Sequence, residues 1–161
     1  MTSSEKINSI CVSAKLHCNN FTLEAESQEY EACQFQINDN KIHYRKAKIT
    51  PKKEGQFVTF WKRIPSGIIA PFEDNDNFDF LIVAVENEIE SGWFIFPKSI
   101  LVSKKIVSTS LIEGKRAFRI YPPSSVPKSK QAMASQKWQN AYFIPNKELP
   151  NILAKKLNLE Q

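Results

Sequence analysis

Apolar residues at Ile7, Ile10, Cys11 and Ala14 recur at the three- and four-residue spacing of one helix face. Ser3 or Ser4 is placed to cap such a helix near Glu5, because a hydroxyl accepts from the free N–H groups of a first turn. Asn19-Asn20 predicts its stop, and the acidic stretch Leu23 to Glu29 reads as a second short helix. The period then changes to two. Cys33, Phe35 and Ile37 alternate with polar residues, Asn38-Asp39-Asn40 supplies side chains that tolerate positive φ, and Lys41 to Ile49 alternates again. Residues 31–49 therefore predict a β-hairpin. On its second strand Ile42, Tyr44, Lys46 and Lys48 share one face, while His43, Arg45, Ala47 and Ile49 share the other.

Thr50 to Gly55 reads as a turn that projects Lys52 and Lys53, and Gln56 to Ile64 as a third strand. After a loop from Pro65 to Asn77, the nearly continuous apolar run Phe78 to Val85 has the pattern of a central strand buried on both faces. Gly92 to Phe96 predicts the next strand, ended by Pro97, with a short helix or turn from Ser99. Lys115 to Tyr121 predicts the last strand, stopped by Pro122-Pro123. A helix over Ser129 to Tyr142 carries Trp138 as its large anchor, and a final helix from Leu149, or a frayed tail, closes the chain. The expected fold is a single α+β domain over residues 1–161, built on a twisted, mostly antiparallel sheet of five to six strands with flanking helices. A helical segment at 1–27 precedes the sheet and helix core at 28–143, and 144–161 forms the tail or helix.

Composition narrows the class. A chain of 161 residues can build one domain with a real core, and 42% hydrophobic with 11% aromatic content points to a globular chain rather than a disordered one. With four glycines and no glycine-rich phosphate loop, nucleotide hydrolysis finds no support. The cysteines, at 11, 18 and 33, are odd in number, and the opening Met-Thr-Ser-Ser-Glu lacks the basic-then-apolar pattern of a secretory signal. Reduced thiols and a cytoplasmic location are expected. Phe78 to Val85 is too short to span a bilayer, so no membrane partner is expected. Cys11, His17 and Cys18, completed by Cys33 or His43, match no standard zinc spacing, and no metal or cofactor is expected.

The net charge of +5 is unevenly spread, and its distribution says more than its total. Residues 1–40 carry two lysines against six acids, and residues 72–90 carry seven acids with no Lys or Arg. Lys41 to Arg63 holds eight Lys/Arg against Glu54 alone, interleaved with Tyr44, Phe57, Phe60 and Trp61. Lys98 to Lys137 holds nine against Glu113 alone. Cations beside aromatic rings suit a polyanion with stackable bases: phosphates bind the cations by counterion release, and bases stack on rings. The plainer reading is a solvated strand face that guards a sheet edge. The candidate nucleic-acid contacts are Arg45, Lys46, Lys48, Lys52, Lys53, Trp61, Lys62, Arg63, Lys98, Lys115, Arg116, Arg119, Tyr121 and Trp138. Arg116, Arg119 and Tyr121 cluster at one strand end, and the planar arginine fork suits both phosphate and guanine edges.

A metal-dependent nuclease is the competing chemistry, with Asp79 and Glu86 or Glu88 as metal-binding carboxylates. No lysine follows either glutamate by two residues, where activation of water would want one, and residues 72–90 read instead as an acidic rim. A third reading is a protein-interaction module whose basic face docks an acidic partner.

The run Tyr44-Arg45-Lys46-Ala47-Lys48-Ile49-Thr50-Pro51-Lys52-Lys53, continued by Gly55-Gln56-Phe57-Val58-Thr59 and Trp61-Lys62-Arg63, resembles the MepB family. The resemblance resumes at Pro71-Phe72, Phe78-Asp79, Phe94-Ile95-Phe96-Pro97-Lys98, Gly114 to Pro122, and Lys130 to Trp138, so it spans most of residues 28–143. Pro123-Ser124-Ser125 departs from it, lacking an aromatic residue after the prolines. The resemblance implies a bacterial cytosolic protein whose relatives are encoded beside a multidrug efflux pump. It also implies nucleic-acid binding, a shape similar to DNA-recognition domains of restriction enzymes, and no established catalysis. The expected partner is nucleic acid, with DNA ahead of RNA.

Overall fold

Thr2, one residue earlier than expected, caps the first helix, α1 (Ser3–Ser13). Its Oγ1 accepts from the Glu5 N–H at 3.1 Å, and the Glu5 carboxylate accepts from the Thr2 N–H in return, a reciprocal capping box that satisfies two otherwise orphaned donors. Ile7 and Cys11 face inward, as their spacing predicts. The computed structural model describes residues 1–159.

The second helix expected over Leu23 to Glu29 does not form. Asn19 and Asn20 instead lie within strand β1 (Cys18–Leu23), and only a 3-10 turn at Gln28–Tyr30 follows. Ser27 and Glu31 both take left-handed φ values, 59° and 50°. Leu23 and Ala25 are exposed, so no apolar helix face exists there to be buried. The hairpin follows the alternation: β2 (Cys33–Ile37) and β3 (Asn40–Lys46) pair antiparallel around Asn38, whose φ of 54° Asn tolerates well.

The predicted third strand divides. After β4 (Lys48–Ile49), β5 (Gln56–Thr59) and β6 (Trp61–Arg63) belong to different sheets, separated by Phe60. The Phe60 ring is fully buried and stacks on Phe72 with centroids 4.2 Å apart, so the chain bends to seat it. Within the loop expected from Pro65 to Asn77, β7 (Ile69–Pro71) pairs with β6. The apolar run becomes β8 (Phe80–Glu86), followed by β9 (Ser91–Pro97), α2 (Lys98–Ser103), β10 (Ala117–Ile120), α3 (Lys130–Asn140), β11 (Phe143–Pro145) and α4 (Leu149–Leu159). The tail read as ending at Gln161 thus forms a helix; positions 160 and 161 lie outside the described residues.

The main sheet has six strands in the order β1-β2-β3-β8-β9-β11, antiparallel except for β3 against β8. A three-stranded sheet, β10-β5-β4, and the β6-β7 pair complete the α+β architecture. β8 lies between β3 and β9 and is buried on both faces, as its unbroken apolar run requires. Leu81, Val83, Phe94 and Phe96 form one core with Val58, Phe60, Phe118 and Ile120 of the smaller sheet region. Tyr44, Phe80, Ile82 and Trp93 form the other with Ile7 and Cys11 of α1 and Leu149, Leu153 and Leu157 of α4. Each such side chain contributes about 1.5–3 kcal/mol by leaving water. Among the described residues, no helix is long and apolar enough to cross a membrane.

Candidate functional site

The fold divides the cations of both basic blocks between paired and unpaired positions. The acidic N-terminal segment lies against the first block and pairs with Arg45, Lys46 and Arg63. Arg45, a candidate phosphate contact by sequence, is 1% exposed, so it does not stand on the surface where the alternation placed it. Its Nη2 donates to Glu24 Oε1 at 3.1 Å, Nη1 donates to Glu24 Oε2, and Nε donates to the Thr59 carbonyl at 3.2 Å. His43 Nδ1 lies 3.2 Å from Glu24 Oε2, with its ring packed against Phe60, Phe72 and Phe78. Burial pushes the Glu24 carboxyl up, but the His43 hydrogen bond and the Arg45 charge outweigh it and hold the group below its ordinary value.

Other cations of both blocks are engaged in similar ways. Lys46 pairs with Glu31 at 3.8 Å, and Lys62 with Glu73 at 2.8 Å and Asp76 at 2.9 Å. Arg63 pairs with Glu26 at 2.6 Å, and its guanidinium lies 5.6 Å from the Trp61 centroid, beside a half-buried ring. Lys98 donates to the carbonyls of Asp74 and Asp76 and sits 4.8 Å from the Phe78 centroid. Arg116 pairs with Glu113 at 3.3 Å. Lys48 is exposed, with its ammonium 5.2 Å from the Tyr30 centroid. It shares a face of the smaller sheet with Phe57 and Arg119, since Phe57 is opposite Lys48 on one side and Arg119 on the other.

A different set of cations converges between β10, the turn at residues 50–55 and α3. Two adjoining hollows, of about 320 and 220 Å³, share Arg119, Tyr121, Ser129 and Ala132. Lys104 and Lys115 line the first, and Lys53 and Lys128 the second. Among the described residues, none of these four lysines has a carboxylate within ion-pair distance. Glu54, the one acid on the rim among the described residues, has its Oε2 accepting from the Val126 N–H at 2.9 Å. Lys52 is exposed on the same turn as Lys53.

This groove is held open by hydrogen bonds across its floor. Gln139, 2% exposed on α3, accepts from the Tyr121 N–H at 2.8 Å and donates to the Arg119 carbonyl at 3.0 Å. Arg119 fastens the turn: Nε donates to the Glu54 carbonyl at 3.1 Å, and Nη2 to Thr50 Oγ1 at 2.7 Å and the Gly55 carbonyl at 3.1 Å. Gly55 has φ of 80°, and a Cβ there would stand 2.6 Å from Tyr121 Cδ1, so only glycine lets the turn close on that ring. Tyr121 is therefore wall rather than platform. Trp138, half-buried, packs on Phe96 at 5.4 Å and has the Lys104 ammonium 5.7 Å from its centroid.

Of the residues singled out in the sequence, the fold brings Lys53, Lys115, Arg119, Tyr121 and Trp138 into one groove, with Lys52 beside it. Lys104 and Lys128 belong with them and were not singled out. The available signal was their place in the second basic block, which has Glu113 as its only acid. The proposed carboxylate constellation does not assemble. Asp79 precedes β8 and Glu86 ends it, roughly 23 Å apart at ~3.3 Å per residue. Asp79 accepts from the Lys41 N–H at 2.8 Å, Glu86 pairs with Lys6 at 3.5 Å, and Glu88 lies in the exposed turn beyond.

The chain matches the family model described as MepB-like over residues 24–145. It is similar to the crystal structure of MepB, with 35% identity and a TM-score of 0.80, covering 90% of this chain and 97% of that one. It is also similar in fold to the structure of a bacterial homing endonuclease, with 13% identity and a TM-score of 0.51, covering 87% of this chain and 88% of that one. No curated protein matches it.

Proposed function

The chain belongs to the MepB-like family, and from that premise we propose that it is a nucleic-acid-binding protein whose interface is the groove between β10, the 50–55 turn and α3. The observation that carries this reading is the segregation of charge in three dimensions. Arg45, Lys46, Lys62 and Arg63 of the first block are met by Glu24, Glu31, Glu73, Asp76 and Glu26. Lys53, Lys104, Lys115 and Lys128 line one groove without a carboxylate partner among the described residues. A fixed groove of uncompensated cations attracts a polyanion and releases its counterions. The fold shared with a homing endonuclease agrees with such a partner.

The same proposal includes no catalytic step, because Asp79 and Glu86 stand at opposite ends of β8 with other partners. DNA is retained ahead of RNA as the partner to test first, in the cytoplasm of a bacterial cell.

Fluorescence anisotropy with labelled single- and double-stranded DNA, between 50 and 200 mM salt, tests the reading. Affinity should fall steeply with salt, and Lys53→Ala/Lys115→Ala should reduce the logarithmic salt slope by about 0.7–0.9 for each lysine that contacts a phosphate. Lys62→Ala, which removes a cation already paired with Glu73 and Asp76, should leave the slope unchanged. Binding that is insensitive to salt, or a slope that responds to Lys62 and not to the groove lysines, overturns the proposal.

A further inference from the structure

We infer that the hollow between α3 and β10 is a subsite for one nucleotide unit, with its phosphate on Lys104 and Lys115 and its base against the Trp138 wall. This rests on the nucleic-acid reading and deepens it. A surface that only tracks a phosphate backbone needs cations in a row but no recess. Here the recess holds about 320 Å³, within the size range of small-molecule sites.

Its chemistry is split as a nucleotide's is. Lys115 is exposed and has no carboxylate partner among the described residues, so it can meet a phosphate without first breaking an ion pair with one of them. Lys104 holds its ammonium over the Trp138 ring, 5.7 Å from the centroid, which brings a cation and an aromatic side chain together in one cavity. An anion and a planar ring joined by a sugar present the same two features in complement. Gln131 and Ser135 also line the recess, and among the described residues neither side chain has a hydrogen-bond partner. An amide and a hydroxyl left free in this way offer donors and acceptors to a base or sugar edge.

The recess is also preformed. Gln139 bridges the Tyr121 N–H and the Arg119 carbonyl, so α3 and β10 are fixed at the spacing that creates the cavity. A ligand would meet a wall already in place, which limits the ordering cost of binding. The unit can come from the end of a strand or from a free mononucleotide, and the chemistry of the hollow is the same for both.

The test is an amide-resonance titration of the full chain with adenosine 5′-monophosphate, adenosine and inorganic phosphate, for wild type and Lys115→Ala. The exposed position of Lys115 leaves the core intact, and the variant's spectrum checks this directly. Saturable shifts centred on residues 104, 115, 119, 135 and 138 are expected with the monophosphate. Adenosine and phosphate alone should bind at least about tenfold more weakly, and Lys115→Ala should weaken the monophosphate by about tenfold. A parallel competition distinguishes the sources. Displacement of a labelled oligonucleotide by the monophosphate, with tighter binding of a 5′-phosphorylated strand than its 5′-hydroxyl form, assigns the hollow to a strand end. Monophosphate binding without displacement assigns it to a free nucleotide. If an oligonucleotide binds while millimolar monophosphate produces no saturable shift, or shifts indifferent to Lys115→Ala, the subsite is overturned and the interface stands. If the monophosphate binds and no oligonucleotide does, the interface falls and the subsite stands.

Discussion

Glu24 and Arg45 come from oppositely charged stretches of the chain and meet in its interior, with Arg45 Nη2 donating to Glu24 Oε1 at 3.1 Å and the guanidinium 1% exposed. The pair joins the loop after β1 to β3 and, through Arg45 Nε and the Thr59 carbonyl, to β5. A charge enclosed in this way is tolerable only while its partner remains. Arg45→Ala is therefore expected to lower the unfolding free energy by about 3–5 kcal/mol. Lys62→Ala, which breaks the pairs with Glu73 and Asp76 nearer the surface, should cost about 1 kcal/mol or less. Urea unfolding of the two variants beside wild type makes the comparison; equal losses would show that Arg45 acts as a surface cation.

The same carboxylate sets an acid limit on stability. Burial raises the pKa of Glu24, and the His43 hydrogen bond with the Arg45 charge lowers it further than burial raises it, so the folded value lies below the ordinary one. As pH falls through the ordinary carboxylate range, the unfolded chain takes up this proton first. The contribution of Glu24 is thus fully present above the unfolded value and is lost as pH falls through the folded value. Wild type should lose stability as pH falls below about 5, and Glu24→Gln should lose less over that range while being less stable at pH 7. Urea midpoints across this range decide it; parallel pH profiles for the two proteins would remove Glu24 as the titrating group.

Arg119 is a positioning residue for the basic turn. Its Nε and Nη2 donate to Thr50 Oγ1 and to the carbonyls of Glu54 and Gly55, so it ties down the turn that carries Lys52 and Lys53. Arg119→Lys cannot reproduce this fork. The variant should lose about 1–2 kcal/mol of stability, with faster amide exchange confined to residues 50–56. Any loss of nucleic-acid affinity should then be accompanied by this local loosening. Weaker binding with unchanged exchange would place Arg119 directly on the ligand.

The thiols should separate by reactivity. Burial pushes the Cys33 thiol up to about 12, and a hydrogen bond to Cys18 together with burial pushes Cys11 up. The Cys11 hydrogen bond lowers Cys18, which is only half-buried. Because the thiolate is the nucleophile, iodoacetamide at pH 8 should modify Cys18 first, with Cys11 and Cys33 reacting only on unfolding. Peptide mapping of a time course reads the order, and early modification of Cys33 would contradict its burial.

The alternation at Cys33–Ile37 and Lys41–Lys46, the unbroken apolar run of β8, the proline stops and the helix from Ser129 all survive into the structure, because each depends on near neighbours in the chain. The strand at Cys18–Leu23 was not legible, since most of its side chains face solvent and the strand is held by backbone pairing with β2. The break at Phe60 was likewise hidden, because the ring that forces it, Phe72, is supplied from a later segment. The candidate site divides along the same line. Sequence alone determined that the chain carries two cation-rich blocks and an α+β core able to hold them. Only the tertiary structure decided that Glu24, Glu26 and Glu31 pair with Arg45, Arg63 and Lys46 of the first block, while Lys53 of that block joins Lys104, Lys115 and Lys128 of the second in one groove. Periodicity is a local property of the backbone, whereas charge compensation acts through space between segments that folding brings together.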